Sequence, residues 1–212
     1  MAAKPRSTGE AALFELPALT RGLPEPPPVT LDPYLDAAAR CFARHGIRRT
    51  SVQDVARELR VNRTTVYRQV GGVDHLARLL LARDLRRALA LLPTTLDGTD
   101  GPTVVVRVLT TLVKHAREHP VAAKVLRDEP EIIGPFLTEE LPDLVGRVAE
   151  VLRPLLEFAM GAGVLARRDA GVVAEWLVRI GISALLAPPP DLEGFFAEVL
   201  VPALTPESKE RR

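Results

Sequence analysis

The sequence predicts an all-α protein: a small three-helix head at the N-terminal side, followed by a larger helical domain. Three observations carry this. Ala, Leu, Arg and Glu are abundant in the 212 residues, and aromatic residues are only 4%, a composition that favours helix. Apolar residues recur at helical spacing along most of the chain, with no convincing strand or internal repeat. Residues 50–70, "TSVQDVARELRVNRTTVYRQV", hold two short apolar-periodic segments with a tight break between them. Such short helices are marginal alone and need a shared core.

The elements follow in order. Residues 1–30 are expected to be a flexible Pro-rich arm, with Pro5, Pro17, Pro24, Pro26, Pro27 and Pro28 and little periodicity. A helix starts at Asp32, read as its N-cap, with Pro33 at the first helical position. Leu35, Ala38, Ala39 and Phe42 mark its inner face, and Gly46 is its stop. Ser51 and Asp54 have capping-box spacing for the next helix, whose inner face is Val52, Val55, Ala56 and Leu59. Asn62 caps a third helix with Val66 and Val70 inward, and Gly71-Gly72 breaks it. The expected seam of the head is Leu35, Phe42, Val52, Val55, Leu59, Val61, Val66 and Val70.

A long helix follows from Val73, with Asp74 in its first turn where the dipole favours an acid. "PTTLDGTDGP" reads as a loop. Further helices are expected at roughly 102–118, 120–128, 139–161, 169–187 and 191–201, broken at Pro120, Pro130, Gly134-Pro135, Gly161–Gly163 and "APPPD". The division is 1–30 arm, 31–75 head, 76–204 larger helical domain, and 205–212 tail.

Charge narrows the partner. The net charge is only +1, but residues 40–68 carry eight arginines against Asp54 and Glu58, a local +6. A basic stripe on a nearly neutral protein points to a local anionic partner. The single cysteine, Cys41, allows no internal disulfide and no cysteine-held zinc. No apolar run approaches the about 18 residues of a membrane span, and "MAAKPRSTGEAALFELP" has no apolar signal core. A cytoplasmic protein without cofactor is expected.

Two short helices with a tight turn, the second capped at its start, form a helix-turn-helix pattern. In that geometry the second helix lies in a DNA major groove with its first residues at base edges, and arginines face phosphates. "AAARCFARHGIRRTSVQDVARELRVNRTTVYRQVGGVDHLARLLL" resembles the DNA-binding head of the TetR family of bacterial transcriptional regulators. The match is strong over about 34–83. Beyond it, "VRIGISALLAPPPDLEGFFAEVLVPAL" is similar to the last two helices of many such regulators, which pair in a dimer.

The resemblance implies a homodimeric regulator, expected to be a repressor, that binds a pseudo-palindromic operator and is released by a small-molecule effector. It implies DNA contacts from Arg49, Thr50, Ser51, Gln53, Asn62, Arg63, Thr64, Thr65, Tyr67 and Arg68. Tyr67 matches a tyrosine that usually bonds a phosphate; core packing is its rival reading. Arg60 stands where the family often has Gly, Thr64 replaces a common Gly, and Val73 replaces a phosphate-binding Lys. Phe136, Phe158, Met160, Trp176 and Arg179 are candidate effector-lining residues, against ordinary core or dimer packing. Val172, Val173, Trp176, Ile180 and Ala184 form the expected dimer stripe.

Two other classes stand beside this one. "HAREH", residues 115–119, places His115, Glu118 and His119 as a metal-dependent hydrolase would, but no third ligand follows and Pro120 ends the helix. The other is a helical interaction module without a DNA role.

Overall fold

In the computed structural model, residues 27–89 and 101–206 are described. Among them every regular element is helical. A 3-10 turn at Val29–Leu31 leads into α1 (Asp32–His45), α2 (Val52–Leu59), α3 (Arg63–Val70) and α4 (Val73–Leu89). α5 (Thr103–Glu118), α6 (Pro120–Asp128) and α7 (Pro130–Pro135) follow, then a π turn at Phe136–Glu140. The last helices are α8 (Leu141–Gly161), α9 (Ala170–Leu186) and α10 (Leu192–Leu204). The expected arm lies mostly outside the described residues, as do most of the loop before α5 and of the tail.

The described residues divide into two compact units. One comprises 27–88 and 115–142, so the head's unit also takes in a later segment; the other comprises residues 89, 101–114 and 143–206. In the first, Leu35 and Phe42 of α1, Val55 of α2, Val66 and Val70 of α3, and Leu76 of α4 are almost wholly buried, and Val121 of α6 packs with them. Each large side chain so buried contributes roughly 1.5–3 kcal/mol. In the second, Val106 and Leu109 of α5, Leu156 and Met160 of α8, Ala174 and Leu177 of α9, and Phe196 and Leu200 of α10 share a core.

Local signals act as expected at several ends. Ser51 and Asp54 form a reciprocal capping box. The Asn62 side chain accepts from Thr64 N–H, Gly46 ends α1 at φ 87°, and Gly71 ends α3 at φ 66°. The start of α1 differs. Its N-cap is Leu31, because the 3-10 turn delivers the chain already wound. Asp32 is freed from capping and its carboxylate instead takes Arg83 Nη1 at 3.2 Å. Val61 also departs from the expected seam and is 40% exposed. Its N–H bonds back to the Ala56 carbonyl to close α2, and that turn leaves its side chain outward. Ala184, assigned to the dimer stripe, is buried in the second core.

Candidate nucleic-acid interface

The third helix of the head is anchored by two valines. Val66 and Val70 are buried on one side of α3, while Arg63, Thr64, Tyr67 and Arg68 stand exposed on the other and Thr65 is half-buried. Tyr67 is 60% exposed, which removes the core-packing reading of its ring. Asn62, with its side chain on the Thr64 N–H, fixes where α3 begins. The first free N–H groups and the exposed polar side chains therefore emerge at one helix end, a favourable place for an anion.

The start of α2 is built differently. Ser51 N–H and Oγ both donate to Asp54 Oδ2, at 2.9 and 2.6 Å, and Asp54 N–H returns to Ser51 Oγ. These bonds from Ser51, with Arg57 beside it, hold the Asp54 carboxyl below the usual carboxylate range. The Ser51 hydroxyl is thus committed to the cap, whereas Gln53 is exposed one residue into the helix. Thr50 is buried and its hydroxyl donates to the Gly46 carbonyl at 2.6 Å. The Thr50 hydroxyl therefore turns inward and closes the loop between α1 and α2, and does not face outward toward a DNA partner.

The eight arginines of residues 40–68 separate into two sets. Arg40 and Arg44 both engage Glu58, Arg40 at 2.7 Å, and these two bonds hold Glu58 below its ordinary range. Arg57 pairs with Asp54 at 3.0 Å and Arg48 Nη1 lies 3.7 Å from Glu131. Arg49, Arg60, Arg63 and Arg68 are exposed and make no side-chain ion pair among the described residues. Half of the basic stripe is therefore paired with the chain's own carboxylates. The unpaired half lies just before α2, in the turn, and on α3.

The effector candidates on α8 and α9 are not gathered into one recess. Met160, largely buried, borders an open recess of about 540 Å³ that Arg153, Glu157, Arg167 and Arg168 also line. Trp176, 41% exposed, borders a crevice of about 30 Å³ with Ile180, Phe195 and Val199. Phe158 and Arg179 line neither, and Arg179 pairs with Glu175 at 3.2 Å. Phe136 lies in the π turn of the other unit, and its side chain falls outside the described residues. The His115–His119 stretch assembles no metal cage: among the described residues no group of three His, Cys, Asp or Glu converges. His119 Nε2 instead lies 3.2 Å from Asp84 Oδ2.

That pair belongs to a network that has no local mark in the sequence. Arg83, almost wholly buried, donates to Asp36 at 2.7 Å, Asp32 at 3.2 Å and Asp84 at 3.2 Å. Burial pushes the Asp84 carboxyl up, but the bonds from His119 and Arg83 outweigh it and hold the group below its usual range.

Residues 35–72 match the profile of the bacterial regulatory proteins, tetR family. The chain is 27% identical over 192 residues to an uncharacterized HTH-type transcriptional regulator of Mycobacterium tuberculosis, covering 85% of this chain and 88% of that one. A second such regulator, from Mycobacterium bovis, is 26% identical over 151 residues, covering 71% and 77%. Among solved structures, the TetR family repressor AlkX from Dietzia superposes with a TM-score of 0.59 at 20% identity, covering 84% of this chain and 96% of that one. The fatty acid degradation regulator FadR from Bacillus halodurans gives 0.62 at 16%, covering 84% and 97%. Among the described residues no helix is long and apolar enough to cross a membrane.

Proposed function

We propose that the chain is a tetR-family transcriptional regulator with a helix-turn-helix DNA-binding head, and that it acts as a homodimeric repressor. Residues 50–70 read a pseudo-palindromic operator, and a small-molecule effector releases it. In this reading 31–75 is the reading head, 76–204 the regulatory and dimerisation part, 1–30 an arm and 205–212 a tail.

The observation that carries the reading is the two-sidedness of α3. Val66 and Val70 fix the helix to the core, and Arg63, Thr64, Tyr67 and Arg68 are left outward with both arginines unpaired. Arg63 and Arg68 are five residues apart, so about 140° apart around the helix. Arg63, in the first turn, is assigned to guanine O6 and N7, and Arg68 to a phosphate. Tyr67 offers its hydroxyl to a second phosphate. Thr64 and Thr65 meet a thymine methyl or the backbone, and Arg49, Gln53 and Asn62 flank them.

The dimer reading draws on a separate surface. Val172 and Trp176 of α9 with Phe195 and Val199 of α10 are exposed apolar side chains. A second copy of the chain would cover such a face. Regulators of this family typically act as dimers and with small-molecule effectors.

Selection of bound fragments from random-sequence DNA tests the whole reading. It should return paired inverted half-sites with centres about 34–36 Å apart or a multiple of that. Recovery of no enriched sequence, or of single half-sites only, would count against the operator and the dimer respectively.

A further inference from the structure

Arg60 is the one non-glycine residue with positive φ among the described residues, at φ 58° and ψ 39°. It follows the last residue of α2. Its N–H bonds the Arg57 carbonyl, and the next N–H, of Val61, bonds the Ala56 carbonyl. This pair of bonds is the Schellman closure, whose left-handed residue is usually glycine. An L side chain there is disfavoured by contact of its Cβ with the following carbonyl. Backbone strain of this kind concentrates at functional sites.

The side chain that this turn carries is exposed and has no ion pair or hydrogen bond among the described residues. Arg40, Arg44 and Arg57, on the helices that lead to the turn, each have a carboxylate partner. Two residues later Asn62 caps α3, and Arg63 begins it. An unpaired cation is therefore held in a strained turn beside the end of α3 that favours an anion.

We propose that Arg60 binds a phosphate of the DNA duplex beside the recognition helix, with the left-handed turn setting its aim. The inference rests on residues 50–70 being the DNA-reading unit. A phosphate contact strengthens binding to any duplex and adds to its salt dependence, without choosing a base.

The test uses Arg60→Gly, Arg60→Asn and Arg60→Lys in the full chain. Binding is measured at several salt concentrations on a duplex the parent selects from random-sequence DNA and on a scrambled duplex. Thermal unfolding is followed in parallel. Glycine and asparagine both accept the left-handed turn, so neither should lower the unfolding midpoint. Both should weaken binding to the two duplexes alike, by about tenfold per head. The slope of log affinity against log salt should become shallower by about 0.9 per head. Arg60→Lys keeps the charge and should keep the slope.

Parent-like affinity and slope in Arg60→Gly, with Arg63→Ala still impaired, would overturn the inference and leave the DNA reading standing. A loss confined to the selected duplex would assign Arg60 to a base and overturn the phosphate contact. A lower unfolding midpoint in both Gly and Asn variants would make Arg60 a support of the turn. A parent without salt-dependent binding to either duplex would remove this inference and the DNA reading together.

Discussion

The carboxylate of Glu129 accepts the backbone N–H of Ile47 at 2.7 Å, across 82 positions of sequence. It also accepts Arg48 N–H at 3.0 Å, and it is almost wholly buried. These two bonds satisfy donors of the loop between α1 and α2 that no neighbouring residue reaches. Gly46 makes room for the carboxylate: a Cβ there would lie 2.6 Å from Glu129 Cδ, and its φ of 87° disfavours any other residue. The segment after α6 thus holds the loop that leads into the helix-turn-helix.

Glu129→Gln should destabilise this unit by about 2 kcal/mol. An amide presents one acceptor oxygen where the carboxylate offers two, and the charge-assisted bonds are lost. Gly46→Ala should cost on the order of 1–3 kcal/mol, since it adds left-handed strain and displaces the carboxylate. Urea denaturation of both variants is the measurement. Parent-like midpoints would mean that this contact adds nothing to stability.

Acid should loosen the same unit. Asp54, Glu58 and Asp84 all have folded carboxyls held below their ordinary values. A lowered folded value gives stability that is complete above the unfolded value, about 3.9 for Asp and 4.3 for Glu, and that is lost as pH falls through the folded value. Stability should therefore fall with pH below about 4. Glu58→Gln, which removes the partner of Arg40 and Arg44, should flatten that acid slope. An unchanged slope in the variant would show that the Glu58 pairs are screened to nothing.

Much of the head was legible because its signals are local. The Ser51–Asp54 box, the Asn62 cap and the Gly46 and Gly71 stops each act within a few residues of themselves. What sequence reading missed depends on distance. Asp32 looked like a cap and is a partner of Arg83, 51 positions away. Glu129 carries no local mark of its role and is a buried acceptor for two N–H groups over 80 positions away. Arginine counting overstated the free charge because Glu58 reaches two of them from the next helix. Pro130 and Gly134-Pro135 mark breaks in the sequence, yet the chain winds there as α7 and a π turn, and α8 begins at Leu141. Proline in the first turn of a helix removes no needed donor, so Pro130 starts α7 where it was expected to interrupt.

If a second copy covers α9 and α10, charge at that face should separate the subunits. Trp176→Arg together with Val199→Asp should give a monomer by light scattering at micromolar concentration. Operator binding should weaken sharply, because one head alone spans one half-site. A parent that is itself monomeric under those conditions would rule the dimer out.

The central claim is that α3 reads DNA, and operator binding by Arg63→Ala and Arg68→Ala at several salt concentrations tests it most directly. Arg63→Ala should lose roughly 1–3 kcal/mol and relax preference at one base pair of each half-site. Arg68→Ala should weaken the operator and a scrambled duplex alike, and flatten the salt slope by about one unit per head. If both variants bind the operator with the parent's affinity and salt slope, α3 is not the reading helix and the account fails.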